Sequence, residues 1–214
     1  MPADAATAAA FDDLLDRALA APSGGSIDYP LAAPKWQFLC HVADRRGFVL
    51  HGSGRPDIAR FEPRKADDVN EFGNQAAVYA AADGIWPIYF AVLDRDRFGI
   101  GIHLNSCVRV PGEPDPYYFF SVTRTALERE PWRSGTVYLL PRCGFEAEAA
   151  IETPGRTVQS AQMRSANVVT PVARLTVEPR DFPFLHRVRG HDDAVTIARA
   201  RADPSGFPWV DAEP

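Results

Sequence analysis

Apolar residues recur at helical spacing near the start of the chain, which predicts an amphipathic helix that ends at the turn residues 22–25. The positions that set this spacing are Phe11, Leu14, Leu15, Ala18 and Leu19. A second helix is predicted over 35–44, ending near Gly47. The apolar run 48–50 then predicts a short buried strand that opens on a glycine-containing turn.

The stretch 55–74 changes character. It is rich in Pro, Asp and Arg, with isolated apolar residues, and it predicts a long loop of the kind that often carries function. The segment 85–93 that follows is apolar enough to be buried, and Pro87 suits the first turn of a helix.

Strand-like runs fill the second half of the chain, at 99–107, 117–123, 136–140 and 168–177, with turn residues between them. Helices early and strands late predict an α+β fold with a mostly antiparallel sheet. A last helix is predicted over 194–202. The expected organisation is an appended helix and loop at 1–34, a main domain at 35–191, and a C-terminal helix and tail at 192–214.

The composition and net charge of the chain limit the kinds of molecule that we expect it to bind. The 214 residues are 46% hydrophobic and 24% charged, and the net charge of -5 supplies no global basic field for nucleic acid. Three widely spaced cysteines predict reduced thiols rather than a zinc site or a disulfide framework. Neither a signal peptide nor an apolar run long enough to span a membrane is present, so we expect a cytoplasmic protein without a membrane partner.

Two blocks suggest chemistry. His51-Gly52-Ser53 follows the predicted strand at 48–50, and Phe72-Gly73-Asn74-Gln75-Ala76-Ala77-Val78-Tyr79-Ala80-Ala81-Ala82-Asp83 follows the loop. Because Gly52 has no Cβ, a flat ring would lie close to its peptide, whose N–H and C=O match a primary amide.

These blocks resemble the ADP-ribosyltransferase superfamily, in the branch that includes poly(ADP-ribose) polymerases and diphtheria-type toxins. That branch carries His-Gly-Ser or His-Gly-Thr on one strand and then a segment of the form Phe-Gly-x-Gly-Ile-Tyr-Phe-Ala-Asp. The first block matches without a gap, and the second matches in kind with an insertion of one or two residues. The clear resemblance covers about 49–91.

The resemblance implies a split antiparallel sheet of the ADP-ribosyltransferase type with flanking helices, whose cleft holds NAD as a substrate without a metal. By this resemblance His51 binds the adenosine ribose, Gly52 the nicotinamide carboxamide and Ser53 the nicotinamide ribose. Tyr79 stacks on the nicotinamide ring, and Tyr89 or Phe90 supplies at most a second wall. The loop arginines are expected to meet the pyrophosphate with at least one guanidinium: Arg55, Arg60 and Arg64.

The family's glutamate on a late strand has no clear counterpart. No carboxylate occurs from Thr153 to Val177. If 171–177 is the late strand, the glutamate position falls between Ser165 and Val168, which makes Asn167 the candidate, and Gln162 or Gln159 takes its place if the register differs. The expected catalytic set is therefore His51, Tyr79, Asn167 and Gln162.

Three functions follow from these observations. The first is an NAD-binding ADP-ribosyltransferase-like protein, a toxin or a housekeeping enzyme, that moves a single ADP-ribose unit to a protein or nucleic-acid acceptor. The alternatives are an inactive nucleotide-sensing or protein-interaction module and an RNA 2′-phosphotransferase-like enzyme. His186 and His191 with the adjacent Asp192 and Asp193 make a metal site conceivable, but a solvated turn is the preferred interpretation. The oligomeric state stays open.

Overall fold

The structure is a computed structural model that describes residues 3–21, 24–45, 47–65, 71–99, 101–153 and 155–210. About 29% of it is helix and 32% strand, which confirms the α+β class. The helices are α1 (Ala5–Ala20), α2 (Lys35–Arg45), α3 (Trp86–Val92), α4 (Arg95–Phe98), α5 (Arg124–Leu127) and α6 (Asp193–Ala202). The strands are β1 (Gly25–Ser26), β2 (Phe48–Ser53), β3 (Arg64–Lys65), β4 (Ala76–Ala81), β5 (His103–Arg109), β6 (Tyr117–Thr123), β7 (Gly135–Pro141), β8 (Glu146–Ala147), β9 (Ile151–Thr153), β10 (Arg156–Ser160), β11 (Gln162–Ser165), β12 (Ala173–Val177) and β13 (Arg189–His191).

The described strands form two sheets. The first has the order β1-β12-β7-β2-β4-β11-β8, with β3 also paired to β4, and the second has the order β13-β6-β5-β10-β9. Every neighbouring pair is antiparallel except β1 with β12 and β13 with β6, which agrees with the predicted mostly antiparallel arrangement.

The chain passes from one sheet to the other at Ala161. Its N–H donates to the carbonyl of Cys107 in the second sheet at 2.9 Å, and its own carbonyl accepts from the N–H of Ala82, beside the first sheet, at 2.8 Å. Ala161 therefore joins β10 to β11 and holds the two sheets at a fixed crossing. Gln162, the first residue of β11, comes directly after this crossing.

Helix α3 lies directly on the first sheet because two strands present glycines to it. A Cβ atom on Gly52 would lie 1.8 Å from the carbonyl oxygen of Pro87, and one on Gly135 would lie 2.0 Å from that of Ala91. Any larger residue would push the helix off β2 or β7. Gly52 is thus required by the packing of the fold, whatever ligand its backbone binds.

Helix α1 shares the main core. Phe11 and Leu15 are fully buried, and the ring of Phe11 lies 5.6 Å from that of Phe38 in α2. The chain after it adds β1 to the sheet, where Gly25 pairs with Ala173. The proposed boundary at residue 34 remains a prediction, and the segment before it contributes to the same core.

Most of the predicted elements are present with shifted ends. The strand at 117–123 is confirmed, that at 136–140 is longer by a residue at each end, that at 99–107 begins only at His103, and that at 168–177 begins only at Ala173. Strands β8 to β11 were not predicted, because they are short and polar. Four of the predicted elements lie partly outside the described residues. The parts concerned are 22–23 of the helix stop, 66–70 of the loop, residue 100 of a strand and 211–214 of the tail. None of the described helices has the length and apolar character needed to cross a membrane.

Candidate functional site

Strands β2 and β4 separate inside the first sheet. Within the described residues their register consists of one pair, Leu50 with Ala81. Strand β2 stays paired to β7 on its other side through Ser53, and β4 stays paired to β11 through Val78. The backbone pairing therefore leaves a gap at Gly52 and Tyr79, which would face each other if the ladder continued. We call this gap the β2–β4 cleft.

The backbone of Gly52 points toward the cleft. The N–H of Arg142 donates to the carbonyl of Gly47 at 3.1 Å, so these two residues form a hydrogen-bonded pair at the end of the β2–β7 ladder. Hydrogen-bonded and non-hydrogen-bonded pairs alternate along antiparallel strands. From this pair the alternation makes His51 and Tyr138 a backbone hydrogen-bonded pair, and Gly52 and Val137 a pair without backbone hydrogen bonds. The N–H and C=O of Gly52 thus point away from β7, toward the cleft.

Tyr79 presents its backbone to the same cleft from the other side. The N–H of Ala82 donates to the carbonyl of Ala161, so the even-numbered residues of β4 direct their backbone groups toward β11. The odd-numbered Tyr79 therefore directs its N–H and C=O toward β2. Its carbonyl oxygen lies 2.6 Å from Nδ1 of His51. A side chain of β2 thus replaces the backbone pairing that the strands have lost.

His51 is a neutral imidazole with a defined tautomer. Because a carbonyl oxygen only accepts hydrogen bonds, Nδ1 carries the proton and Nε2 keeps its lone pair. Burial is the main cause that lowers the pKa of His51; the Tyr79 carbonyl opposes it and the charge of Arg95 adds to it. The ring lies 4.6 Å from that of Phe61, a loop residue that bridges to Val169. His51 therefore offers one acceptor nitrogen, Nε2, on a ring that contacts the Phe61 ring and the Tyr79 carbonyl.

The phenol of Tyr79 anchors the segment before β4. Its hydroxyl accepts from the N–H of Gln75 at 2.8 Å and lies 3.0 Å from the carbonyl oxygens of Phe72 and Gln75. The half-buried ring is thereby tied to residues 72 and 75, which precede β4. A fixed aromatic ring beside the cleft is suited to stacking, because little side-chain entropy is lost when a ligand binds.

Helix α3 turns Tyr89 fully into the core, whereas Phe90 stays partly exposed beside His103 of the second sheet. Tyr89 is fully buried, with its ring 4.7 Å from Phe120 and 5.9 Å from Phe182. The expectation that Tyr89 binds a cofactor is corrected here, because its ring is not accessible. Phe90, the alternative named with it, is half-buried, and its ring lies 5.8 Å from His103.

The strand beside β4 is β11, not the predicted late strand. Strand β12 (Ala173–Val177) pairs with β7 and β1, on the far side of β2. On β11, Gln162 pairs with Ala81 and Arg164 pairs with Tyr79, so both side chains share the face of the sheet that carries the Tyr79 ring. Asn167 is exposed in the turn beyond β11, where its N–H donates to Ser165 Oγ. Of the three proposed replacements for the glutamate, the structure brings Gln162 to β4, whereas Gln159 lies on β10 and pairs with Arg109 in the second sheet.

Arg164 puts a positive charge on the strand next to Tyr79. Its guanidinium lies 4.3 Å from the centre of the Phe72 ring and 3.4 Å from Glu146 Oε2. Its Nη1 atom is buried and has no hydrogen-bond partner within the described residues. Strand β11 therefore carries an amide and a guanidinium on the face that it shares with Tyr79.

The loop arginines occupy separate positions. Arg55 lies 3.7 Å from Asp57, and Arg60 forms a 2.6 Å contact with Glu62, so both are next to carboxylates. Arg64 is exposed on β3, which pairs with β4 at Ala77. Ser53 accepts the N–H of Arg55 at 3.1 Å, which makes its hydroxyl part of the turn that follows β2.

Sequence reasoning did not single out Arg95 or His103. Arg95 begins α4, and its Nη1 atom lies 3.3 Å from Nε2 of His103, the first residue of β5. The charge of Arg95 lowers the pKa of both His51 and His103, so the guanidinium lies within electrostatic range of both imidazoles. No local pattern marks these residues although they are only eight apart, because their contact depends on how β5 packs beside α3.

His191 belongs to a buried network rather than a solvated turn. Its Nδ1 atom lies 2.6 Å from Ser121 Oγ and its Nε2 atom lies 3.2 Å from Asp193 Oδ1. Ser121 is fully buried, so this Ser–His–Asp arrangement has no accessible nucleophile and instead connects β6, β13 and α6. The described residues hold no group of three or more His, Cys, Asp or Glu side chains suited to a metal ion.

Comparisons of the chain with protein-family models, with curated proteins and with solved structures find no match. A functional conclusion therefore rests on the geometry of the β2–β4 cleft and on the residues that line it.

Proposed function

We propose that this protein is an ADP-ribosyltransferase-like protein that binds NAD in the β2–β4 cleft. The observation that carries the proposal is the separation of β2 from β4 after a single register pair, which turns the backbone N–H and C=O of Gly52 toward an open edge. The NH2 and C=O groups of a primary carboxamide, such as that of nicotinamide, lie side by side and can bond the C=O and N–H of Gly52. This edge lies within the two sequence blocks that resemble the family.

The neighbouring groups suit the rest of the ligand. The acceptor nitrogen of His51 is complementary to a ribose hydroxyl, and the held ring of Tyr79 is complementary to a flat heterocycle. Phe90 is the accessible aromatic residue of α3 for an opposing wall. Donor, acceptor and aromatic groups thus come from three adjacent elements that the fold holds rigidly.

The residues of β11 favour binding with little cleavage of NAD. Breaking the nicotinamide bond builds positive charge on the ribose, which a nearby carboxylate stabilises and a cation opposes. Strand β11 presents Gln162 and Arg164 on the face of Tyr79, and no carboxylate. A nucleotide-sensing protein, or a transferase whose acceptor supplies its own carboxylate, fits this arrangement better than an efficient hydrolase.

The test is calorimetric titration of the purified protein with NAD, with chromatographic analysis of the same samples for nicotinamide. We expect saturable binding that His51→Ala weakens by about tenfold or more, because a hydrogen bond and ring contacts are lost. His186→Ala, at an exposed histidine of the turn 185–187, is the matched control and should bind as wild type does. Thermal melts of all three proteins separate lost binding from lost folding.

Each outcome has a distinct meaning. Binding with nicotinamide release identifies a working transferase site, and binding without release identifies a sensor or an enzyme that needs its acceptor. Absence of NAD binding to the folded wild-type protein would overturn the proposal.

A further inference from the structure

Arg95 stands apart from the other guanidinium groups near the cleft. Arg133, which covers Gly54, is neutralised by Asp94 and Asp96, at 3.3 and 3.8 Å. Around the exposed Arg95, the described part of the chain places no carboxylate within ion-pair distance, and its recorded contact is with Nε2 of His103. An exposed positive charge beside one imidazole, with no such carboxylate partner, is an arrangement that attracts an anion.

The orientation of His103 follows from a chain of hydrogen bonds. The indole N–H of Trp86 donates to Asn105 Oδ1 at 2.8 Å, which fixes the amide so that its Nδ2 faces Nδ1 of His103 at 3.2 Å. The other ring nitrogen, Nε2, faces Arg95. Both nitrogens of His103 therefore face hydrogen-bond donors.

This arrangement leaves a surplus of donors. Burial, followed by the charges of Arg95 and His191, lowers the pKa of His103 to about 4, so the ring is neutral near pH 7. A neutral imidazole has one lone-pair nitrogen, and so it accepts from only one of its two neighbours. The other nitrogen carries an N–H that needs an acceptor from outside the cluster, as do the remaining N–H groups of Arg95.

The cluster borders the cleft. The rings of His103 and Phe90 lie 5.8 Å apart, and Phe90 is the accessible aromatic residue of α3. On the other side, Asp94, the residue before Arg95, lies 3.3 Å from Arg133, whose guanidinium covers Gly54 just beyond β2. A ligand held by Gly52 and His51 would thus extend past donors that no described protein group satisfies.

We propose that Arg95 and His103 form an anion-binding subsite that takes the pyrophosphate oxygens of a nucleoside diphosphate ligand. The guanidinium fork matches two phosphate oxygens, and the surplus N–H of His103 supplies a further donor. The proposal rests on the proposed function for the position of the ligand, and it names a different residue from the loop arginines expected from the sequence.

The test compares Arg95→Gln with Arg97→Gln. Arg97 lies two residues further along the same short helix, exposed over the ring of Phe98, and its substitution removes the same charge. Calorimetry at fixed salt would use two probes, ADP-ribose, which carries the pyrophosphate, and free nicotinamide, which does not. We expect Arg95→Gln to weaken ADP-ribose at least tenfold without changing nicotinamide binding, and Arg97→Gln to change ADP-ribose affinity less than twofold.

His103→Gln is a second test variant. We expect it to lower the affinity for ADP-ribose several-fold and to leave the affinity for nicotinamide unchanged. Equal ADP-ribose affinity in the Arg95 and Arg97 variants, or no ADP-ribose binding to wild type, would overturn the subsite. Nicotinamide binding in the same samples would then leave the proposed function standing. Conversely, ADP-ribose binding that depends on Arg95, with no binding of NAD or nicotinamide, supports the subsite and refutes the proposed function.

Discussion

The Nδ1 atom of His51 lies 2.6 Å from the carbonyl oxygen of Tyr79, across the cleft where their two strands no longer pair. This contact keeps the strands in a fixed relation although the ladder has ended. It also sets the tautomer, because a carbonyl oxygen requires the proton on Nδ1 and leaves Nε2 as the acceptor. One side chain thus links the two edges of the cleft.

The two histidines at the cleft predict a loss of stability in acid. The folded pKa of His103 is about 4, below its ordinary value of 6.5, and that of His51 is also lowered. Such groups bind protons more readily in the unfolded chain, so the free energy of unfolding should fall as pH drops from about 6.5 toward 4. Urea titrations at several pH values should show a smaller fall for His103→Gln, whereas His186→Gln, at an exposed site, should follow wild type. Identical pH dependence in all three proteins would contradict the prediction.

Gly52→Ala should destabilise the fold strongly. The added Cβ would lie 1.8 Å from the carbonyl oxygen of Pro87, and backbone cannot yield as a side chain can. We expect a loss of about 3 kcal/mol or more, at or above the upper end of the usual range for overpacking. Gly54→Ala is the matched control, since its Cβ would meet the movable end of the Arg133 side chain. Chemical denaturation measures both, and equal losses would argue against the close approach of α3 to β2.

Gln162→Glu should raise the rate of NAD cleavage. The substitution places a carboxylate on β11 beside β4, where it would stabilise positive charge developing on the ribose. We expect nicotinamide release at least about tenfold faster than in wild type, in line with the effect of single electrostatic groups. Asn167→Glu adds the same charge in the exposed turn beyond β11 and should have no effect. An equal response of the two variants would place the reacting centre elsewhere.

The thiols should differ in reactivity. Cys143 is exposed, Cys40 is half-buried and Cys107 is fully buried. Burial raises the pKa of Cys40 to about 12 and that of Cys107 further, which keeps both as unreactive thiols. A colorimetric thiol assay at pH 8 should therefore detect about one fast-reacting thiol in the native protein. After unfolding it should detect all 3 cysteines of the chain. Cys143→Ser should abolish the fast phase.

The sequence by itself determined the local elements and the two blocks of the cleft. Helical spacing marked α1, α2 and α6, and Pro87 marked the first turn of α3, because these signals depend on neighbours in the chain. His51, Gly52 and Tyr79 were identified in the same way, from residues read in order. The assignment of their ligand remains a prediction.

Only the tertiary structure decided what lies around those residues. Strand order depends on contacts between distant segments, so the sequence did not reveal that β11, with Gln162 and Arg164, lies beside β4 while β12 does not. Nor does helical periodicity distinguish Tyr89, turned into the aromatic core, from its neighbour Phe90. Arg95 and His103 are only eight residues apart, but their side chains meet because β5 packs beside α3, and the local pattern does not reveal that packing.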